Sequence, residues 1–363
     1  MGFGCMRLPI IGGDDSRIDE GKAFGMIRYA IDSGINYIDT AHPYHRGRSE
    51  PFLGKVLQDG YREKVYLATK LPSWLIKSRE DMDRYLDEQL ERLRTDHIDF
   101  YLVHGLNREF WKNVTEHGIF DFLDSALQDG RIRYAGFSFH DDPEVFKEII
   151  DSYHWAFCQI QYNFMDEDYQ AGKEGLMYVA SRGLGIVIME PLRGGSLVSS
   201  VPPEVRQIWD SAQVRRNPAE WGLRYLWDYP EISVVLSGMS DMAQVEENIR
   251  AADKGCPNSL TEAEKALISR ARGIYESRMR VNCTGCQYCM PCPEGVNIPQ
   301  NFKHLNNAAM FDDVKRAKLL YNIFVPPGKR ASNCVECGQC EEKCPQKIPI
   351  REMLKEVVKV FGE

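Results

Sequence analysis

The chain has 363 residues, a mass of 41.7 kDa and a formal charge of −8, with 43% hydrophobic and 27% charged residues. That is ordinary for a folded protein with room for one large domain and a small one. An acidic balance without a Lys/Arg stripe speaks against nucleic acid as a partner, and no apolar run reaches the length of a membrane span.

In chain order, residues 2–8 form a Gly-interrupted, partly apolar stretch that fits a first strand. Residues 19–33 then place Ala23, Met26, Ile27, Ala30 and Ile31 at helical spacing, stopped by Gly34. The apolar run 35–38 ends on Asp39, with Tyr44 five residues on. A helix is expected over 49–57, then a strand over 65–69 that ends on Lys70. Residues 78–93 read as an amphipathic helix with Met82, Tyr85, Leu86, Leu90 and Leu93 on one face. The strand 98–103 follows and ends on His104.

The alternation continues with helices over 120–128, 144–151, 174–182, 219–227 and 242–252. Strands are expected over 132–139, 156–162, 184–189 and 232–237. Eight strand candidates, each followed by a helical stretch, imply parallel strands with right-handed crossovers, closed into a (β/α)8 barrel. A doubly wound sheet would carry a phosphate loop near its start, and no G-x-G-x-x-G follows a strand here. Gly238 and the first turn of the 242–252 helix follow the last strand, a place where barrels bind phosphate. Residues 261–279 read as a helix capped by Thr261 with Glu264 three residues on. The domain boundary is expected near residue 276, giving a barrel over 1–275 and a small domain over 276–363.

Eight of the eleven cysteines lie in that second part, in two runs. Cys283, Cys286, Cys289 and Cys292 are followed by Pro293; Cys334, Cys337, Cys340 and Cys344 are followed by Pro345. The second run has the spacing of a bacterial ferredoxin motif, and the first is one residue shorter before its last cysteine. In two-cluster ferredoxins the fourth cysteine of each run serves the other cluster. On that rule Cys283, Cys286, Cys289 and Cys344 hold one [4Fe–4S] cluster, and Cys334, Cys337, Cys340 and Cys292 hold the other. Structural zinc is the alternative, but zinc pairs are usually isolated rather than four-cysteine runs ending in Cys-Pro. A secreted disulfide framework would be Cys-dense throughout, whereas here a long Cys-poor region comes first. Cys158 falls in a strand and reads as a small buried residue. The N-terminus has no charged region followed by an apolar stretch, and position 6 is not the Ser or Thr that myristoylation needs. A cytoplasmic location is expected.

Asp39, Tyr44, Lys70 and His104 sit at or just past the ends of three consecutive strands, where barrels do chemistry. Each alone has a plain reading: a capping Asp, a snorkelling Lys, a satisfied core His. Together they suit proton transfer to a carbonyl oxygen. A phenol of ordinary pKa about 10 is a weak donor at neutral pH, and an adjacent ammonium lowers that value. A carboxylate keeps the ammonium charged, and a neutral imidazole orients the carbonyl.

These residues resemble the aldo-keto reductase family. The resemblance is carried by Asp39-Thr40-Ala41-x-x-Tyr44, Glu50-x-x-x-Gly54, Ala68-Thr69-Lys70 and the 99–104 stretch. Gly136-Phe137-Ser138, Gln161-Tyr162-Asn163, Pro191-Leu192 and Glu247-Asn248 extend it over residues 1–252. With its cysteine tail the chain is similar to the branch of that family with a C-terminal ferredoxin-like [4Fe–4S] domain. The resemblance implies Tyr44 as general acid, tuned by Lys70 and Asp39, with His104 orienting the substrate. It implies a nicotinamide cofactor along Gly4, Cys5, Met6, Ser138, Gln161, Met189, Gly238, Gln244, Glu247 and Asn248. Three features depart from the family pattern. Gln244 stands where an Arg is common, Met189 where an aromatic residue stacks on nicotinamide, and Phe139 where Asn follows the Ser. The first bears on NADPH against NADH. The family's N-terminal hairpin is expected to be absent, because the chain starts within the first strand.

The expected fold is thus a (β/α)8 barrel followed by a small α-helical ferredoxin-like domain. The leading functional expectation is interconversion of a small-molecule carbonyl and alcohol. Two [4Fe–4S] clusters would relay electrons to or from ferredoxin or another electron-transfer protein. Clusters pass single electrons and nicotinamide passes two as hydride, so a flavin such as FMN is the alternative cofactor that could join them. The other readings are an ordinary NAD(P)H-dependent reductase whose clusters are structural, and a non-catalytic redox-sensing module. His42, His45, Trp74 and Trp111 are expected on loops after the catalytic strands, as candidate pocket residues.

Overall fold

A computed structural model describes residues 1–362. Eight parallel strands close into a barrel in sequence order. They are β1 (Gly2–Gly4), β2 (Tyr37–Asp39), β3 (Tyr66–Leu71), β4 (Ile98–Leu106), β5 (Ile132–Phe139), β6 (Phe157–Gln161), β7 (Gly185–Met189) and β8 (Val234–Gly238). β1 pairs with both β2 and β8, which completes the circle. Helices follow the strands as the alternation predicts, and their ends obey local rules. The helix Glu20–Asp32 is capped by the Asp19 side chain, Arg79–Leu93 by Ser78, and Met242–Ala252 by Asp241. No helix of the described residues is long and apolar enough to cross a membrane.

Strand side chains alternate between faces, and here the two sets are plainly distinct. Ile38, Leu67, Tyr101, Val103, Phe137, Cys158, Ile160, Ile186, Ile188 and Val235 point outward into the layer shared with the helices. Tyr37, Ala68, Leu102, Phe157, Val187 and Leu236 fill the barrel interior. Gly136 belongs to the inward set, and a methyl group there would stand 2.4 Å from the Phe157 ring. The glycine makes room for the aromatic, so the interior is packed and not a pore.

Two differences from the sequence reading concern the barrel strands. The first strand is only three residues long and passes into a single 3-10 turn, Cys5–Arg7. β4 does not stop at His104 but continues to Leu106, with a register shift between Val103 and Leu106 and Gly105 at φ +64°. A glycine takes that left-handed conformation without strain, so the strand bulges instead of ending.

Contacts divide the chain into two compact units, 1–194 with 219–260, and 195–218 with 261–362 among the described residues. The division therefore falls at 260/261 and not near 276. The helix Glu262–Ser277, with its Thr261–Glu264 capping box, goes with the second unit, as does the helix Pro203–Asp210. The expected boundary cut through the helix Glu262–Ser277, because its apolar face alone does not say which core it serves. The second unit has its own core of Val296, Phe302, Leu305, Tyr321, Leu354, Val357 and Phe361. It is built on the helices Ile298–Phe311, Val314–Phe324 and Ile350–Phe361, with Tyr321 stacked on Phe361 at 4.6 Å.

Candidate active site

Asp39, Lys70 and His104 lie two residues beyond Tyr37, Ala68 and Leu102, the inward residues of β2, β3 and β4. The two-residue period therefore aims all three into the same end of the barrel. Lys70 Nζ lies 2.8 Å from each Asp39 carboxylate oxygen, donates to the Thr40 carbonyl at 2.7 Å, and sits 3.4 Å from the Tyr44 hydroxyl. Both members of the ion pair are almost wholly buried. Tyr44 opens the tight turn Tyr44–Gly47, in which His45 and Arg46 both have positive φ. Its ring meets that of His104 edge-on at 6.2 Å.

Burial opposes the charge on Lys70, but the Asp39 carboxylate and the Tyr44 hydroxyl outweigh it and lift the lysine above its ordinary pKa. The same reasoning corrects the expectation for Tyr44. Burial outweighs the Lys70 ammonium, so the phenol is held above its usual value rather than below it. Tyr44 is thereby kept as a protonated donor. Burial, assisted by Lys70, His140 and His42, holds His104 well below the usual imidazole pKa and so neutral. Its Nδ1 is buried and meets no hydrogen-bonding partner among the described residues. A neutral imidazole with a free nitrogen in a tight site is fitted to meet a substrate oxygen.

A buried polar network braces this arrangement from behind. Glu50, fully buried, accepts from Thr69 Oγ1 at 2.7 Å, from Gln89 Nε2 at 2.6 Å and from Arg92 at 3.3 Å. Gln89 also donates to the Lys70 carbonyl at 3.0 Å and accepts from the Tyr101 hydroxyl at 2.8 Å. Gly54, one helical turn after Glu50, lets the helix Ser49–Val56 approach the end of Arg79–Leu93. A Cβ there would lie 2.3 Å from the Arg92 carbonyl oxygen. The Glu50-x-x-x-Gly54 pattern is thus a scaffold for β3. Gln89 and Arg92 escaped the sequence reading because nothing local marks a polar residue that a helix turns toward a buried network.

The residues expected to bind cofactor occupy one arc of the same barrel end. Gly4 pairs with Asp39 on one side and Gly238 on the other, and Gln161 pairs with Met189. Ser138 shares the inward phase of Gly136 and pairs with Gln159. Within the protein several of these groups already have partners. Ser138 Oγ accepts from the Gly105 amide at 2.7 Å, Gln161 donates to Asp166 at 2.9 Å, and Asn248 donates to Ser237 Oγ at 3.0 Å. Gln244 holds the Ser240 amide and Asp241 at the start of its helix. Met6 and Glu247 are exposed, whereas Cys5 is fully buried. Arg7, absent from the sequence reading, lays its stem over Gly238 and pairs with Glu190 at 3.7 Å.

Of the four rim candidates Trp74 packs on the tetrad, its ring 5.2 Å from that of His104. Trp111 lies on a helix, Arg108–Glu116, and packs against Phe120 and Trp155 in the interior. His45 is buried, with Nδ1 2.9 Å from the Asp15 carbonyl. His42 contacts Arg92 at 3.1 Å and packs on Tyr85.

The second unit holds eight of the eleven cysteines, six of them (Cys283, Cys289, Cys292, Cys334, Cys340 and Cys344) packed against its core, and every cysteine of the chain is free of disulfide. Cys289 and Cys292 of the first run line one cavity with Cys334, Cys337 and Cys340 of the second. Cys283 is close enough to Cys286 and Cys344 to feel their charges, and Cys289 feels Cys283, Cys340 and Cys286. The two runs also curl alike. The residues either side of Cys286, Gly285 and Gln287, have φ of +74° and +61°. Those either side of Cys337, Glu336 and Gly338, have +58° and +79°. Left-handed residues in such loops turn backbone N–H groups inward, as anionic clusters require. A soft, all-thiolate donor set in two such cradles fits iron–sulfur clusters.

Comparison with known proteins agrees in both halves. A model of the "Aldo/keto reductase family" matches residues 1–260, and one of the "4Fe-4S dicluster domain" matches residues 282–348. YqkF, an oxidoreductase of Bacillus subtilis, is 30% identical over 305 residues, covering 76% of this chain and 94% of that protein. The L-galactose dehydrogenase of Arabidopsis thaliana is 28% identical, covering 69% and 83%. Among solved structures, the holo form of the aldo-keto reductase AKR11C1 from Bacillus halodurans superimposes with a TM-score of 0.62 at 28% identity, covering 75% of this chain and 91% of that one. An aldo-keto reductase from Klebsiella pneumoniae in complex with NADPH shares the fold, with a TM-score of 0.61 at 21% identity, covering 74% and 89%.

Proposed function

The chain belongs to the aldo/keto reductase family, and from that premise we propose that its barrel interconverts a carbonyl and an alcohol while its tail passes electrons to or from a partner protein. It is an oxidoreductase of that family with a C-terminal 4Fe-4S dicluster domain. The observation that carries the reading is the Lys70 ammonium, fixed by Asp39 and Thr40 and set 3.4 Å from the Tyr44 hydroxyl.

Tyr44 would give its proton to the carbonyl oxygen, and Lys70 would stabilise the phenolate left behind. Asp39 holds Lys70 charged and in place. His104, neutral, would hydrogen-bond the same oxygen and fix its direction, with Trp74 bounding the pocket. A nicotinamide held along the arc from Gly4 to Ser138, Gln161, Met189 and the helix Met242–Ala252 supplies hydride chemistry when bound. At the entrance of that helix the Asp241 carboxylate is engaged with the Gln244 amide, and no Arg or Lys lies in its first turn. That supports NADH at least as well as NADPH.

In the tail, Cys283, Cys286, Cys289 and Cys344 would hold one [4Fe–4S] cluster and Cys334, Cys337, Cys340 and Cys292 the other. A purely structural role is less favoured because the second unit has an apolar core of its own. Electron relay needs a group that joins one-electron to two-electron chemistry, and a flavin is the cofactor that supplies it. The test uses anaerobically purified full-length protein. Carbonyl reduction is driven by NAD(P)H or by reduced ferredoxin, with Tyr44→Phe as the control. Turnover lost in Tyr44→Phe supports the barrel assignment; turnover retained sinks it.

A further inference from the structure

The helix Val314–Phe324 is amphipathic with an unusual outer face. Ala317 and Tyr321 are buried against the core of the second unit. Lys315, Lys318, Leu319, Asn322 and Ile323, at spacings of three and four, share the opposite, exposed face. Leu319 and Ile323 are each 61% exposed and Phe324, at the helix end, 64%. An apolar strip this open on a small unit is a mark of an interaction surface.

Charge says what that surface suits. The chain as a whole carries 45 Lys and Arg against 53 Asp and Glu, but residues 261–363 carry 16 against 12. From 314 to 335 there are five basic residues and no acidic one. The flanking carboxylates Asp313 and Glu336 are occupied, the first capping the helix and the second paired with Lys355 at 2.7 Å. Lys315 and Lys318 make no ion pair among the described residues. The face is also tied to the second cysteine run. Arg330 donates to the Val325 carbonyl, the Ala331 amide to the Tyr321 hydroxyl, and the Cys334 amide to the Ala331 carbonyl. The helix end, the turn after it and the first cysteine of the run are one hydrogen-bonded piece.

We propose that the face Lys315–Lys318–Leu319–Ile323, with Phe324, is the docking site for an acidic one-electron carrier protein that exchanges electrons with the adjacent cluster. The proposal rests on the electron-relay reading above. Docking delivers one electron per encounter: the carrier's centre is oxidised by one electron and the cluster reduced by one, or the reverse, and no bond is made or broken. Two copies of this face would repel each other, which disfavours self-association through it. A lipid surface would also attract lysines beside apolar side chains. Two lysines and three apolar groups are a small anchor for a membrane, whereas they match the central patch of a protein interface with a charged rim.

The test is binding of the full-length, cluster-loaded protein to a purified acidic bacterial-type ferredoxin, by calorimetry and by stopped-flow reduction of the clusters. Affinity should fall at least about tenfold between 50 and 300 mM salt, because steering between opposite charges is screened. Lys315→Glu/Lys318→Glu should weaken binding about tenfold or more, and Ile323→Ser/Phe324→Ser likewise, with the cluster absorbance and unfolding midpoint unchanged. Cluster reduction by ferredoxin that proceeds equally in parent and variants places docking elsewhere and overturns the proposal while the relay reading stands. Clusters reducible by dithionite but not by ferredoxin overturn both. Co-sedimentation of the parent with anionic phosphatidylglycerol vesicles, lost in the same variants, assigns the face to a membrane instead and also overturns the proposal.

Discussion

Lys70 and Asp39 form an ion pair sealed from solvent, with both carboxylate oxygens 2.8 Å from one ammonium nitrogen that also reaches the Tyr44 hydroxyl. Such a pair is costly to assemble in a protein interior and gives little net stability. In the proposed reaction its value lies in fixing a positive charge beside the phenol that gives up its proton.

Removing one partner exposes that cost. Asp39→Asn should destabilise the barrel by about 3–5 kcal/mol, because it leaves Lys70 buried and uncompensated. Chemical denaturation measures it. A loss under about 1 kcal/mol would show that the site relaxes and admits water.

Tyr44→Phe removes the proposed proton donor with little change in the size of the side chain. Carbonyl reduction should fall by about 10²–10⁴-fold, the usual worth of general acid catalysis, with nicotinamide affinity little changed. Because Tyr44 is held above its ordinary value, the alkaline fall of kcat/KM should lie above pH of about 10. A fall centred near neutrality would mean that the ammonium, not burial, governs the phenol.

Two buried histidines make stability depend on pH. His104 is held well below the ordinary value and His304 is lowered to about 4, both chiefly by burial. In the unfolded chain both take a proton near pH of about 6.5, so the unfolded state binds more protons below that pH. Stability should therefore be complete above about pH 6.5 and decline as pH falls toward 4. His304→Gln should flatten part of that decline, as unfolding midpoints at pH 7 and 5 would reveal.

Gly54→Ala should destabilise by about 1–3 kcal/mol, since the added methyl runs into the Arg92 backbone rather than a side chain that can move. Gly273→Ala, at a position with open space around it, is the control and should be neutral or slightly stabilising.

Cross-ligation makes a specific prediction for the tail. Two [4Fe–4S] clusters give about eight iron atoms per chain. Cys292→Ser combined with Cys337→Ser should strike the same cluster twice and leave about four. Cys344→Ser with Cys337→Ser should strike both and leave close to none. Iron analysis of the two double variants decides it, and the opposite pattern would mean each run ligates its own cluster. Small molecules released from the same anaerobic preparations should include FMN or FAD if a flavin joins clusters to hydride chemistry.

The barrel was legible because each β/α unit repeats a local pattern that needs no distant information. Asp39, Lys70 and His104 were legible for the same reason, as each terminates an apolar run on the inward phase of its strand. Trp111 was misplaced on a loop because its short helix, Arg108–Glu116, sits between strands where only the third dimension shows it packed on Trp155. The helix Ile350–Phe361 carries Ile350, Leu354, Val357 and Phe361 at helical spacing. That signal was present in the residues and overshadowed by the cysteines.

The amino-acid sequence by itself determined the eight-fold alternation, the four residues at the strand ends and the two cysteine runs, because hydrophobic period and ligand spacing are local properties of the chain. Only the tertiary structure decided that burial outweighs Lys70 at Tyr44, that Glu50, Gln89 and Arg92 brace β3, and that Cys289 and Cys292 share a cavity with three cysteines of the second run. It also decided that residues 195–218 fold with 261–362. Each of these depends on groups far apart in sequence sharing a desolvated space, and desolvation is set by the packed fold rather than by neighbours along the chain.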